Sequence, residues 1–209
     1  MEFEKIGFDM EKLNSIRSFS GRVKYCQQNL ERVGSGSARV VFALDEERVI
    51  KIASNEKGIA QNDVESDFGL QDMYGDIVNK VHDACEDGKW IIADRLAKIT
   101  KKQMLDHLGV SGGQLEEVCL LINNYVNQHK HDILSFKDSI NANKTLENLI
   151  EMSMNYDLLA GDFSRTNSWG MGKDGHIKLI DNGLSKNVFN THYLKHKSVC
   201  FPDDFSLRR

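Results

Sequence analysis

Apolar residues recur at two different periods along this chain, and the switch between them limits the folds open to it. Leu30–Leu44 places β-branched residues around glycines, and Arg48–Ala53 reads Val-Ile-Lys-Ile after the turn-like Asp45-Glu46-Glu47, which predicts a hairpin. Ile77–His82 and Trp90–Leu96 are predicted strands separated by the Glu86-Asp87-Gly88-Lys89 turn. Helical spacing governs the rest: residues 9–30 (Met10, Leu13, Ile16, Val23, Leu30) as one helix or two, then Asn62–Tyr74, Gln114–Gln128 and Asn143–Leu159. A loop at Gly161–Asn167 leads to a second hairpin whose far arm is His176–Ile180. Strands with one helix followed by helices is an α+β pattern, with two lobes joined near Leu96.

A chain of 209 residues with 40% hydrophobic and 28% charged residues buries a sizeable core in one domain or two small lobes, and whole-chain disorder is excluded. The only proline is Pro202 and no long Gly/Ser stretch occurs, so a flexible hinge between independent domains has no support. No apolar run exceeds about six residues, against the roughly twenty that a spanning helix needs, so no membrane association is expected. The formal charge of −4, with no long Lys/Arg stripe, argues against a general nucleic-acid binder; Lys98–Lys102 reads as solvated surface. An acidic start at Met1-Glu2-Phe3-Glu4 is unlike a secretory signal. Cys26, Cys85, Cys119 and Cys200 are far apart, as expected of reduced thiols in a cytoplasmic protein.

Four polar constellations stand out. In Val33-Gly34-Ser35-Gly36-Ser37-Ala38-Arg39 the missing Cβ atoms let backbone N–H groups approach a phosphate, although a plain turn reads the same way. Lys51 interrupts an apolar strand on the face of Val49 and Ala53; it needs an anionic partner if that face turns inward, and none if the strand is an edge. Glu65, in the following helical stretch, is such a partner or simply an exposed helix glutamate. Asp162 and Asn167 share a loop where turn residues are common, and Asp181-Asn182-Gly183 ends a buried-looking strand with a carboxylate. Asn167 and Asp181 are oxygen donors of the kind that magnesium prefers.

Glycine loop, strand lysine, helix glutamate, Asp-(x)4-Asn and Asp-x-Gly follow one another in the order of the protein-kinase signature set. Over about Leu30–Ser185 the sequence resembles the protein-kinase-like superfamily, which includes aminoglycoside-phosphotransferase-type kinases and compact kinases of some bacterial viruses. The resemblance implies a two-lobe fold: a helical extension over residues 1–29, a small antiparallel-sheet N-lobe over 30–96 and a reduced, mainly helical C-lobe over 97–209. It implies ATP and Mg²⁺ as cofactors and a phosphotransferase with a protein Ser/Thr hydroxyl as acceptor. A small-molecule acceptor, or a kinase-shaped protein that binds a partner without transfer, are the alternatives. By similarity, Gly34, Ser35, Gly36 and Ser37 would cover the phosphates, Lys51 would hold the α- and β-phosphates, and Glu65 would position Lys51. Asp162 would accept the proton of the attacking hydroxyl, while Asn167 and Asp181 would ligate Mg²⁺. The backbone at Asp94 and Leu96 would meet the adenine edge, with Ala93 as a small gatekeeper.

The sequence departs from the family pattern in several places. Ala38-Arg39 replaces the third glycine, leaving a stiffer loop or letting Arg39 touch a phosphate. Ala160-Gly161 precedes Asp162, and no lysine stands two residues after it, so Arg165 is the candidate for the absent charge. Asn182 takes the usual aromatic position, and only 26 residues follow Gly183, so Asn187–Arg209 is expected to pack as a tail rather than complete a full C-lobe. His129-Lys130-His131 and His192 with His196 have metal-like spacing but no third ligand, Asp203-Asp204 reads as solvated, and no Gly-x-Ser-x-Gly elbow supports a hydrolase.

Overall fold

The β-branched segments pair as one antiparallel sheet. β1 (Glu31–Ser35), β2 (Arg39–Ala43), β3 (Arg48–Ala53), β4 (Val81–Ala84) and β5 (Trp90–Asp94) lie in the order β1-β2-β3-β5-β4 in the computed structural model, which describes residues 8–128 and 143–194. β3 is central, and Val49 through Ala53 are all buried, so Lys51 does not lie on an edge strand. Alternation divides the strand between two faces. Ile50 and Ile52 join Phe42, Trp90 and Ile92 in a core closed by Leu13, Tyr25, Cys26 and Leu30. Those last residues come from α1 (Met10–Ser15), α2 (Phe19–Asn29) and the exit from α2, so residues 9–30 form two helices, capped by Asp9 and Ser18. Asn14 Oδ1 accepts from Trp90 Nε1 at 2.7 Å and ties α1 to β5.

The opposite face, bearing Lys51, is covered by α3 (Glu56–Glu65). Asn55 caps this helix by accepting from the Gly58 N–H at 3.2 Å, and its amide donates to Ser37 O at 2.9 Å, joining the helix start to the glycine loop. Gly58 is where α3 touches the hairpin: a Cβ there would sit 2.2 Å from Ala38 O and 2.9 Å from Ala53 Cα. Neither obstacle is the free end of a side chain. Gly58→Ala is expected to lower unfolding free energy by about 1–3 kcal/mol through overpacking. An unchanged urea midpoint would show that α3 can lift off the hairpin without cost.

Three elements differ from the sequence expectation. The helix expected over Asn62–Tyr74 is two: α3 ends and α4 (Phe68–Tyr74) begins across Ser66-Asp67. Ser66 Oγ bonds back to Asn62 O at 2.9 Å and Asp67 caps the Leu70 N–H at 2.8 Å, so local side-chain bonding breaks the helix. The strand expected over Ile77–His82 is displaced to Val81–Ala84, because residues 77–79 pair with the second hairpin instead: Leu179 N–H donates to Ile77 O at 2.7 Å and Asn79 N–H to Leu179 O at 3.0 Å. The charged segment Lys98–Lys102 runs into α5 (Lys101–Leu108), a helix the sequence pattern did not predict, which starts at a Thr100/Gln103 capping box and buries Met104 and Leu108.

A second core gathers the remaining elements. α4 and α5 contribute Leu70 and Leu108, α6 (Gly112–Gln128) contributes Val118 and Ile122, and α7 (Lys144–Asn155) contributes Leu149. The hairpin β6 (Trp169–Met171) and β7 (Ile177–Leu179) adds Trp169 and Leu179, and α8 (Lys186–His192) follows. Reciprocal bonds between Ala97 and Met171, at 3.0 and 2.8 Å, clip this hairpin to the segment leaving β5. The architecture is thus the α+β, two-lobe arrangement of an antiparallel sheet followed by a mainly helical part. No helix among the described residues is long and apolar enough to cross a membrane.

Candidate functional site

Strand register sets the charges of the site. Lys51 lies opposite Val41 on β2 and Ile91 on β5, and Arg39 lies opposite Ala53; directly paired residues share a face, so Arg39 and Lys51 point the same way. α3 meets them with Glu65. Lys51 Nζ donates to Glu65 Oε2 at 2.5 Å and to Ile180 O at 2.6 Å, with both charged side chains almost wholly buried. Arg39 Nη2 lies 2.6 Å from Glu65 Oε1, a charge contact not aligned as a hydrogen bond. The same nitrogen donates to Asp181 Oδ1 at 2.6 Å, and Nη1 to Asn62 Oδ1 at 3.2 Å. Asn62 is itself oriented by donating to Gly88 O at 2.8 Å.

Lys51, Glu65 and Asp181 therefore converge, and Arg39 joins them. Desolvation raises the Asp181 carboxyl, but the Arg39 guanidinium and Lys51 ammonium outweigh it and hold the group below its ordinary value. Burial alone would lower Arg39, and Glu65 with Asp181 more than reverses that. A carboxyl lowered in the folded state contributes stability that is complete above its unfolded value and lost as pH falls through the folded one. The stability gap between the native protein and Asp181→Asn is therefore expected to hold steady down to about pH 5 and to close below the ordinary value of 3.8. Urea midpoints of both proteins across that range check this; a gap that widens in acid reverses the sign.

The loop bearing Asp162 is braced from beneath. Asn123 Oδ1 accepts from the Ala160 N–H at 2.8 Å, Phe163 is buried, and Trp169 Nε1 donates to Phe163 O at 2.7 Å. Asp162 stays exposed, with Arg165 Nη1 at 2.9 Å from its Oδ1. Asn167 sits in a 3-10 turn over Thr166–Ser168, is exposed and has no side-chain hydrogen bond among the described residues. Ile180 N–H donates to Ser168 O at 2.7 Å, so the neighbours of Asn167 and Asp181 are bonded to each other. Gly183 explains its own identity: a Cβ would lie 2.7 Å from Gln61 O on α3.

The glycine loop closes through Gly36 N–H to Arg39 O at 2.9 Å. Neither Gly34 nor Gly36 has a left-handed φ, and a Cβ on Gly36 would meet nothing within 4 Å. Open space, not backbone strain, is what glycine leaves there. Ser35 Oγ accepts from Arg32 and Ser37 O from Asn55. Asp94 and Leu96 stand elsewhere: they line a hollow of about 600 Å³ with Glu47, Phe68 and Lys80, to which Lys51, Glu65, Asp162, Asn167 and Asp181 contribute nothing. The Asp94 backbone already donates to Lys80 O at 3.1 Å and accepts from Asn79 Nδ2 at 3.0 Å. Ala93 is fully buried between Val49 and Val81.

Asn167 and Asp181 carry oxygen donors of the kind that suits magnesium and both are exposed, with Asp181 Oδ1 taken by Arg39 at 2.6 Å. That donor chemistry fits the ion, while no group of three or more His, Cys, Asp or Glu side chains gathers among the described residues. His129, Lys130, His131, His196, Cys200, Pro202, Asp203 and Asp204 lie outside the described residues. Asn62 was missed as a site residue, and Arg39, read as stiffening the loop or touching a phosphate, instead grips Asp181 and Glu65; strand alternation from Lys51 across the hairpin carried the signal for that placement.

No protein-family model matches the sequence, and no curated protein matches it. Solved structures do. SAICAR synthase from Saccharomyces cerevisiae, complexed with SAICAR, is 12% identical over 73% of this chain and 73% of its own, with a TM-score of 0.39. The GDP complex of wild-type aminoglycoside 2'-phosphotransferase-IIIa is 11% identical over 83% of this chain and 70% of its own, with a TM-score of 0.39. The streptomycin-ATP-APH(2")-IIa ternary complex is 10% identical over 80% and 71%, with a TM-score of 0.36. Likenesses of this size leave the reading of the site to its own side chains.

Proposed function

We propose that the chain is a phosphotransferase that moves the γ-phosphoryl group of magnesium-bound ATP to a hydroxyl, a protein serine or threonine being the acceptor. The observation that carries this reading is the buried Lys51–Glu65 pair, whose ammonium is bonded to the carbonyl immediately before Asp181. A cation desolvated at that depth needs anions around it, and Glu65 holds it in one place for the α- and β-phosphates. Gly34, Ser35, Gly36 and Ser37 cover the phosphates from above, where the space over Gly36 is open.

Asp162 orients the acceptor hydroxyl and takes its proton as the new O–P bond forms and the bond to the departing diphosphate breaks. Arg165, 2.9 Å from Asp162, steadies that carboxylate and adds positive charge beside the loop. Asn167 and Asp181 would hold the magnesium ion, which supplies neutralisation of phosphate charge. Positioning does most of this chemistry, which is why rigid bracing beneath an exposed carboxylate matters.

The test is incubation of the purified chain with γ-labelled ATP and Mg²⁺, once with a cell lysate and once with polyhydroxylated amines. Label on a protein band is expected. Label on the amines alone would move the acceptor to small molecules. Nucleotide binding without transfer to either would leave a partner-binding protein.

A further inference from the structure

We propose that Arg39 is the resident counter-cation of this site, excluding a divalent cation from Asp181 until an anionic ligand arrives. The proposal rests on reading Asp181 as a metal ligand, and it deepens that reading into a rule for the order of binding.

Arg39 is 5% exposed and held from three directions: Asn62 and Glu65 on α3, and Asp181 on the turn after β7. With Lys51 it makes two cations facing two carboxylates, so the cluster is neutral as it stands. A dication bound to the half-exposed Asp181 alone would place excess positive charge next to the buried guanidinium that lies 2.6 Å from the same carboxylate. A dication accompanied by a polyphosphate brings no excess positive charge. The same residue closes the glycine loop, its carbonyl accepting from Gly36 N–H at 2.9 Å. An anion settling over Gly36 therefore acts on the strand residue that grips Asp181. No glycine at position 39 could do this, since the effect belongs to the side chain.

Mn²⁺ binding to the nucleotide-free chain, followed by electron paramagnetic resonance, tests the proposal. The native protein is expected to bind weakly, and Arg39→Met at least about tenfold more tightly, since one opposing charge has gone. Arg39→Lys keeps the charge and is expected to stay near the native value. Adding Asp181→Asn to Arg39→Met is expected to erase the gain. Damage to the fold would weaken metal binding, so a gain confined to the methionine variant is not a structural side effect.

Arg39→Met binding no tighter than the native protein, with a native circular dichroism spectrum, overturns the proposal. So does an equal gain in Arg39→Lys. Should Arg39→Met fail to fold, the native chain still decides: Mn²⁺ bound as tightly without a non-hydrolysable nucleotide as with it overturns the proposal. A native chain that binds no nucleotide sinks the phosphotransferase reading instead, leaving the metal comparison on the nucleotide-free variants intact.

Discussion

Glu65→Ala is expected to lower the free energy of unfolding by about 3–5 kcal/mol, the range for breaking a buried ion pair by removing one partner. Glu65 is 2% exposed and lies 2.5 Å from Lys51 and 2.6 Å from Arg39, so its loss strands two buried cations on one remaining carboxylate and a carbonyl. Desolvated charge without a partner is what makes such changes expensive. The exposed pair Lys173–Glu47 is the internal control, because breaking it should cost less than about 1 kcal/mol. Guanidinium denaturation of both variants reads the difference. A loss for Glu65→Ala as small as that of the surface pair would mean that water enters the cluster freely.

Asp162→Ala is expected to slow phosphoryl transfer by about 10²–10⁴-fold, the usual contribution of a positioned acid or base. The side chain is half exposed and its charged neighbour Arg165 is more exposed still, so neither folding nor nucleotide affinity should move much. That separation is the useful part. Single-turnover rates with saturating ATP measure the step itself, and equilibrium nucleotide binding runs beside it. A variant transferring at half the native rate would remove Asp162 from proton acceptance and leave the loop with a structural role.

Much of this arrangement can be read in the chain before any coordinates. Strands and helices announce themselves by period, and Lys51 within an apolar strand implies a buried counter-charge, found at Glu65. What could not be read depends on competition between neighbours. Ile77 and Val78 suit a strand, but which sheet they serve is settled by Leu179, a hundred residues on. The break between α3 and α4 depends on Ser66 and Asp67 bonding locally, a choice that helical spacing does not register. Arg39 was legible as a departure from a glycine pattern, yet its place in the charge cluster needed the pairing of β2 with β3. Asp94 and Leu96 illustrate the opposite difficulty: a strand end is visible in sequence, while the hollow it faces is a property of distant loops.

The contact between Gly183 and Gln61 leaves no slack between α3 and the turn behind Asp181. Any atom larger than hydrogen at that point acts as a wedge, tilting the helix at a spot one turn from Glu65. Helix and turn are thus fitted against each other, and the alignment of the buried charges is gauged by the thickness of one missing methyl group.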